Sequence, residues 1–398
     1  MKKTMQAVEP SRRMAVLEQQ RRVKMARSAH AYVRGNTLQF YEWLASGSGD
    51  KLPQGPAVWI CGDCHAGNLG PVANAEGRVE IQIRDLDQTV VGNPAHDLVR
   101  LGLSLATAAR GSDLPGVTTA LMLEQMVLGY GQALSAPRKA AADHEAVELR
   151  PIRLTMRAAL SRKWRHLAEE RIEDETPVIP LGDRFWALTD EERAEVERIV
   201  KEAKSDLLLG GNKLRVLDAA YWMKGCSSLG KLRFAVLVGV GKKQDQCYRL
   251  LDIKEAVTAA APMKRAVEMP GDNAARVVAG AKALSPYLGD RMVAAHFKNR
   301  PVVMRALMPQ DLKVEVDRLT REEAVATAHY LASVVGKAHV RQMDTATRKR
   351  WKAELGRNRS KSLDAPGWLW QSVVELVAEH EAAYLEHCRR YALGDCIR

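Results

Sequence analysis

Residues 60–100, ICGDCHAGNLGPVANAEGRVEIQIRDLDQTVVGNPAHDLVR, carry most of the chemistry of this 398-residue chain and decide its fold. Asp63, His65, Asn68, Asp85, Asp87 and Asp97 crowd together there, with glycines at 62, 67, 70 and 92. VWI at 58–60 reads as a short buried strand. VEIQI at 79–83 alternates as a strand and runs straight into Asp85-Leu86-Asp87. Two strand ends therefore meet, each delivering acids. Phosphoryl transfer asks for Mg²⁺ held by an Asp and an Asn, a further Asp to orient an in-line hydroxyl, and neutralisation around the transferring group. Gly62-Asp63-Cys64-His65-Ala66-Gly67-Asn68 has that form: Asp63 orients a nucleophile, Asn68 reaches a metal, and Asp85 adds the carboxylate. Loop residues making Asx turns are the alternative reading of these three.

GDxHxGN at 62–68, a strand ending in an Asp, and GNPAHDL at 92–98 together resemble the catalytic loop, metal Asp and following segment of aminoglycoside phosphotransferases and other kinase-like enzymes. The chain is also similar to a bacterial family known as domain of unknown function 2252. That likeness runs from Arg34-Gly35 through the 62–68 loop to Leu229-Gly230, Ile253-Lys254-Glu255-Ala256 and Arg305. The family label carries no activity; the kinase-like resemblance implies an α+β, protein-kinase-like two-lobed fold binding ATP and Mg²⁺. Asp63 and His65 are the implied catalytic residues, His65 acting as base, metal ligand or orienter of the loop. Asn68 and Asp85 are the implied metal ligands, and Asp87 is either a second metal contact or a turn residue. Asp97 would support the catalytic loop through hydrogen bonds. Arg34 would face a phosphate or form a structural ion pair.

In a kinase-like small lobe, a Gly-rich turn covers the nucleotide phosphates with backbone amides, and a Lys two strands later meets their oxygens. Gly225, Ser227, Ser228 and Gly230 fit the turn and Lys254 the lysine, with Arg305 grouped beside them as nucleotide-binding. Their order is reversed relative to kinases, because the 62–68 loop precedes the turn. The expectation is a circular permutation: residues 1–215 as the first part of a helical large lobe, 216–308 as a small α+β lobe, and 309–398 as the second large-lobe part, with a hinge at 305–311. Kinases pair the strand Lys with a helix Glu, yet the helix expected at 273–284 contains no acid and has Ala279 at that place. Glu255, Glu268 and Asp272 are the candidate substitutes.

The net charge of +12 and pI near 9.4 favour anionic partners, among them nucleotide, phosphorylated substrate and nucleic acid. No nucleic-acid motif supports the last. The N-terminal MKKTMQAVEPSRRMAVLEQQRR lacks the apolar core of a signal peptide, and no run of about 18 apolar residues follows. A cytoplasmic protein without membrane partners, its six cysteines reduced, is expected. GCSSLGK at 225–231 falls short of a P-loop, since Leu232 has no hydroxyl and a strand follows where a P-loop opens a helix. CGDCH at 61–65 satisfies the haem-attachment pattern formally, but buried or incidental thiols fit better.

Helices are expected at 11–46 with a break near Arg34-Gly35, then at 97–109, 117–135, 137–172, 190–204, 273–284, 321–342 and 369–391. Thr189 to Glu192 reads as a capping box, 231–241, 247–253 and 302–307 as strands, and 348–361 as an exposed basic connector. The resulting reading is a phosphotransferase with an unidentified, anionic small-molecule or protein acceptor. A catalytically weak nucleotide-binding protein, AMP transfer and a basic nucleic-acid binder are the alternatives.

Overall fold

The N-terminal helical periodicity divides into three helices: α1 (Pro10–Met25), α2 (Ala29–Gly35) and α3 (Thr37–Ala45). Ser28 caps α2 by accepting from the Ala31 N–H, and Asn36 interrupts the chain after Gly35. In the computed structural model, residues 8–136, 150–161, 178–203, 214–225, 229–241, 247–262, 267–312, 319–356 and 365–391 are described.

Four short strands follow: β1 (Val58–Ile60), β2 (Leu69–Ala73), β3 (Val79–Ile83) and β4 (Val90–Gly92). β1 pairs antiparallel with β4, Ile60 facing Val90, and β2 pairs antiparallel with β3, Leu69 facing Ile83. The pairs are nested. That register sends loops 61–68 and 84–89 out at the same end, so the two acidic segments separated in sequence become neighbours. Helix α4 (Pro94–Gly111), with Asn93 capping its start, and α5 (Gly116–Ser135) pack behind them.

The second element of architecture is a six-stranded antiparallel sheet in the order β5-β6-β7-β8-β10-β9. Its strands are β5 (Phe185–Trp186), β6 (Leu214–Trp222), β7 (Arg233–Val240), β8 (Cys247–Glu255), β9 (Met292–Phe297) and β10 (Arg300–Ala306). The sheet thus reaches back to Phe185, before residue 216. One face, with Phe234, Ile253 and Met304, packs on Leu17 and on the helix Asp190–Glu202, whose capping box between Thr189 and Glu192 forms as expected. The other face is apolar through Ala235, Leu237 and Leu250, then becomes charged at Arg233, Asp252, Lys254 and Arg305. Helix Asn273–Leu284, capped by Asp272, packs on β9 and β10 and also on β1 and β4, bridging the sheet to the nested pairs.

The long C-terminal helices Arg321–Val340 and Gly367–Tyr391 complete the core. Residues 345–355 are not the exposed connector that the run of charges suggests. They form a helix, Thr345–Leu355, capped by Asp344, with Arg348, Trp351 and Leu355 buried on one face. Only residues 150–161 of the helix expected at 137–172 are described, and they are helical; the remainder, like the turn at 242–246 and residues 357–361, lies outside the described residues. Among the described residues no helix is long and apolar enough to cross a membrane. Trp351 is 1% exposed and its indole N–H donates to the Tyr130 hydroxyl at 3.1 Å. Trp351→Ala should lower unfolding free energy by about 3–5 kcal/mol, read from the urea midpoint at constant slope.

Candidate functional site

Loop 61–68 is held from behind by a buried carboxylate. Asp97, in the first turn of α4, accepts the Cys61 N–H at 2.7 Å and the Gly62 N–H at 3.0 Å. Its Oδ2 also lies 3.1 Å from His339 Nε2. His339 Nδ1 sits 2.8 Å from the Tyr130 hydroxyl, which in turn takes the Trp351 N–H. An Nε2 proton directed to Asp97, with Nδ1 accepting from the Tyr130 hydroxyl, satisfies every group in this series. The Tyr41 hydroxyl closes the loop from its other side by donating to the Gly62 carbonyl. Gly62 itself has φ +76, and a Cβ there would stand 2.1 Å from the Gln88 carbonyl oxygen. The glycine is thus required twice, by conformation and by the approach of loop 84–89.

That approach is visible in further bonds between the loops. The Arg84 N–H donates to the Asn68 carbonyl at 2.7 Å, and the Thr89 hydroxyl to the Ile60 carbonyl at 2.6 Å. Arg276, on the bridging helix, reaches the carbonyls of Asp87 and Thr89. The bridging helix, acid-free, therefore touches the acidic loop through an arginine.

A cavity of about 450 Å³ opens between these loops and the charged face of the sheet. His65, Asn68, Asp85, Asp87, Gly225, Lys254 and Arg305 all line it. Asp63 lies just behind this wall, 7% exposed, with Oδ1 held by the fully buried Arg100 at 3.0 Å. The Asn68 amide donates to the Asp63 carbonyl at 3.0 Å. Gly230, with φ +90, does not line the cavity, and Ser227 and Ser228 lie outside the described residues. Of the expected hinge at 305–311, Arg305 lines the cavity and residues 306–311 do not; the Leu307 N–H is taken by the Leu250 carbonyl at 2.9 Å.

Lys254 finds its partners on loop 84–89. Its ammonium contacts Asp87 Oδ2 and lies 3.3 Å from Asp85 Oδ1. None of the three substitute acids does this: Asp272 caps its helix, Glu255 accepts the Leu232 N–H at 2.8 Å, and Glu268 is exposed. Enclosure pushes the Asp85 carboxyl up, but Lys254, Arg305 and Arg233 more than reverse this and hold it well below the usual carboxylate range. Asp87 moves the other way, raised by burial and by the neighbouring Asp85 charge. Arg305 serves Asp252 at 3.0 Å, together with a bidentate Arg233 at 2.6 and 2.8 Å, and donates to the Arg84 carbonyl at 3.2 Å.

Among the described residues no three His, Cys, Asp or Glu side chains converge on a metal position. Two carboxylates and an amide oxygen, all hard donors, suit Mg²⁺, which takes one or two carboxylates and completes its shell with water and phosphate. His65 is buried, and burial, Arg34 and Arg100 hold its pKa well below the usual histidine value. It is a neutral imidazole, with Nε2 3.9 Å from Asp63 Oδ2 and no hydrogen-bond partner at Nδ1 among the described residues. Asp97 makes the loop-supporting hydrogen bonds expected of it, and Tyr41 adds one that was not expected. Cys61 and Cys64 are buried thiols with raised pKa values, the state of packing groups.

Sequence reasoning did not find Arg100, Tyr41, His339 or Arg276. Each acts on the loops from a distant segment, and only the apolar flanks around Arg100 and His339 could have hinted at burial. No curated protein and no solved structure matches the chain. A family model described as an uncharacterized protein conserved in bacteria, DUF2252, matches residues 13–390.

Two outcomes follow from this geometry. Gly62→Ala should cost at least about 2 kcal/mol, since it adds left-handed strain to a clash with backbone, and the urea midpoint will report it. His380, buried near Arg100, has its pKa lowered to about 4, so the folded state binds fewer protons than the unfolded chain between that value and 6.5. His65 acts with the same sign. Stability should therefore fall as pH drops from about 6.5 to 4, by about 3 kcal/mol for His380 alone, and His380→Gln should flatten the profile.

Proposed function

The chain belongs to the bacterial DUF2252 family, and we propose that it is an ATP- and Mg²⁺-dependent phosphotransferase of permuted, kinase-like type. The observation that carries this reading is the nested strand pairing that brings Asn68, Asp85 and Asp87 to one cavity opposite Lys254. Besides Arg27 and Arg34, which it shares with a neighbouring cavity, six cationic side chains and three acidic ones line that cavity, so its field favours a polyanion. Leu86, Val277, Leu288, Met292 and Val303 add an apolar wall, and the volume suits a nucleotide.

In this reading Asn68 and Asp85 hold the metal and Asp87 is its second carboxylate. Bound Mg²⁺ supplies charge neutralisation at the phosphate oxygens. Lys254 exchanges its carboxylate partners for those oxygens. The bond between the γ-phosphorus and its bridging oxygen breaks, releasing ADP, as the acceptor hydroxyl oxygen bonds to phosphorus and gives its proton to Asp63. Arg100 fixes one Asp63 oxygen, leaving the other for that proton. The recessed position of Asp63 favours a second reading, a nucleotide-binding protein with little turnover. A nucleic-acid binder would carry its cations along an open surface, not around a cavity.

Mg²⁺-ATP at about a hundredfold over Kd should raise the thermal midpoint by roughly 3 °C, since a ligand of the native state stabilises by mass action. Asp85→Ala should abolish the rise. Absence of any rise in the wild type removes the nucleotide reading; a rise without ADP formation across hydroxyl acceptors favours the second.

A further inference from the structure

A second cavity of about 590 Å³ adjoins the first and shares Arg27, Ala31 and Arg34 with it. Its far side is built from the end of α4 and from Glu381. Arg34 stands in the wall between the two. Its guanidinium lies against the 62–68 loop, so closely that a Cβ on Gly67 would meet its Cζ at 2.8 Å.

The other charges here are accounted for. Lys254, Arg233 and Arg305 have carboxylates, Lys24 donates to the Gly225 carbonyl at 3.3 Å, and Arg110 pairs with Glu381 at 3.0 Å. Arg34 and Arg27 are different. Neither side chain has a hydrogen-bond or ion-pair partner among the described residues, and Arg34 Nε is withdrawn from solvent without an acceptor. A half-buried guanidinium lacking a counter-charge is a cost that folding alone does not explain. Its planar fork matches a phosphate or carboxylate, and the site it faces is a cavity.

We propose that the second cavity is the acceptor pocket, and that Arg34 with Arg27 binds an anionic group, phosphate or carboxylate, carried by the acceptor. This rests on the phosphotransferase reading and narrows its substrate class. The nucleotide enters beside Lys254 and the 85–87 carboxylates. The acceptor enters beside Arg34, on the Gly67 side of the same loop, so its hydroxyl is delivered to residues 63–68 by an anchor the nucleotide does not use.

The test titrates the full chain with inorganic phosphate and, separately, with Mg²⁺-ATP and Mg²⁺-ADP, following the thermal midpoint. The proteins are wild type, Arg34→Ala, Arg34→Gln and Asp85→Ala; the Gln variant retains bulk over Gly67 if the Ala variant is poorly folded. Phosphate should stabilise wild type and Asp85→Ala alike, and bind at least tenfold more weakly to both Arg34 variants. Those variants should keep the Mg²⁺-ATP response that Asp85→Ala loses. An unchanged phosphate response in the Arg34 variants, or none in wild type, overturns the anion site. Weakened Mg²⁺-ATP with intact Mg²⁺-ADP binding in those variants assigns Arg34 to the γ-phosphoryl group and overturns the acceptor role. Loss of the phosphate response in the Arg34 variants, with no nucleotide response in wild type, keeps the anion site and removes the phosphotransferase reading on which the acceptor assignment rests.

Discussion

One carboxylate fixes the conformation on which the site depends. Asp97 takes the N–H groups of Cys61 and Gly62 in a fully buried setting, where no water could replace it. A charged acceptor on two amides is stronger than two neutral bonds, and in a low dielectric its loss would leave both donors and His339 uncompensated. Because the same carboxylate meets His339, the loop is tied through Tyr130 to Trp351, so the C-terminal helices hold the N-terminal chemistry in place. Residues 242 apart in the chain thereby share one network.

The second constraint is register. Nested antiparallel pairs leave no freedom in where their loops emerge: with Ile60 opposite Val90 and Leu69 opposite Ile83, segments 61–68 and 84–89 must touch. A one-residue slip would turn Ile81 and Ile83 out of the core. The contact is then so close that only glycine fits at position 62. The bridging helix also packs closely on this loop: a Cβ on Gly280 would stand 2.4 Å from the Thr89 methyl.

What the sequence made legible was local. The strands at 58–60 and 79–83, the helix at 273–284 and the capping box at 189–192 are each signalled within about a dozen residues, by alternation, period or cap chemistry. The strand Leu214–Trp222 escaped notice because a register shift between Val216 and Asp218 breaks its alternation, and Phe185–Trp186 is too short to show a pattern. Thr345–Leu355 looked solvated because its buried stripe contains only Trp351 and Leu355 as apolar residues, the third position being the stem of Arg348. In the site the acids themselves were legible, and their partners were not. Arg100 for Asp63, Asp85 and Asp87 for Lys254, and Asp252 for Arg305 are choices of tertiary geometry between segments that carry no mark of each other.

Those partnerships divide the two cavity carboxylates into unlike states. Lys254, Arg305 and Arg233 all act on Asp85, whereas Asp87 feels the Asp85 charge and fuller burial, so one is held ionised and the other pushed toward its proton. Asp85, held ionised, opens into the cavity with 37% of its side chain exposed. Asp87 is more enclosed and in the closer contact with the Lys254 ammonium. The absence of an acid from the bridging helix is then not a gap in the site. The loop carboxylates already neutralise the lysine, and the helix contributes Arg276, which holds the backbone from which those carboxylates project.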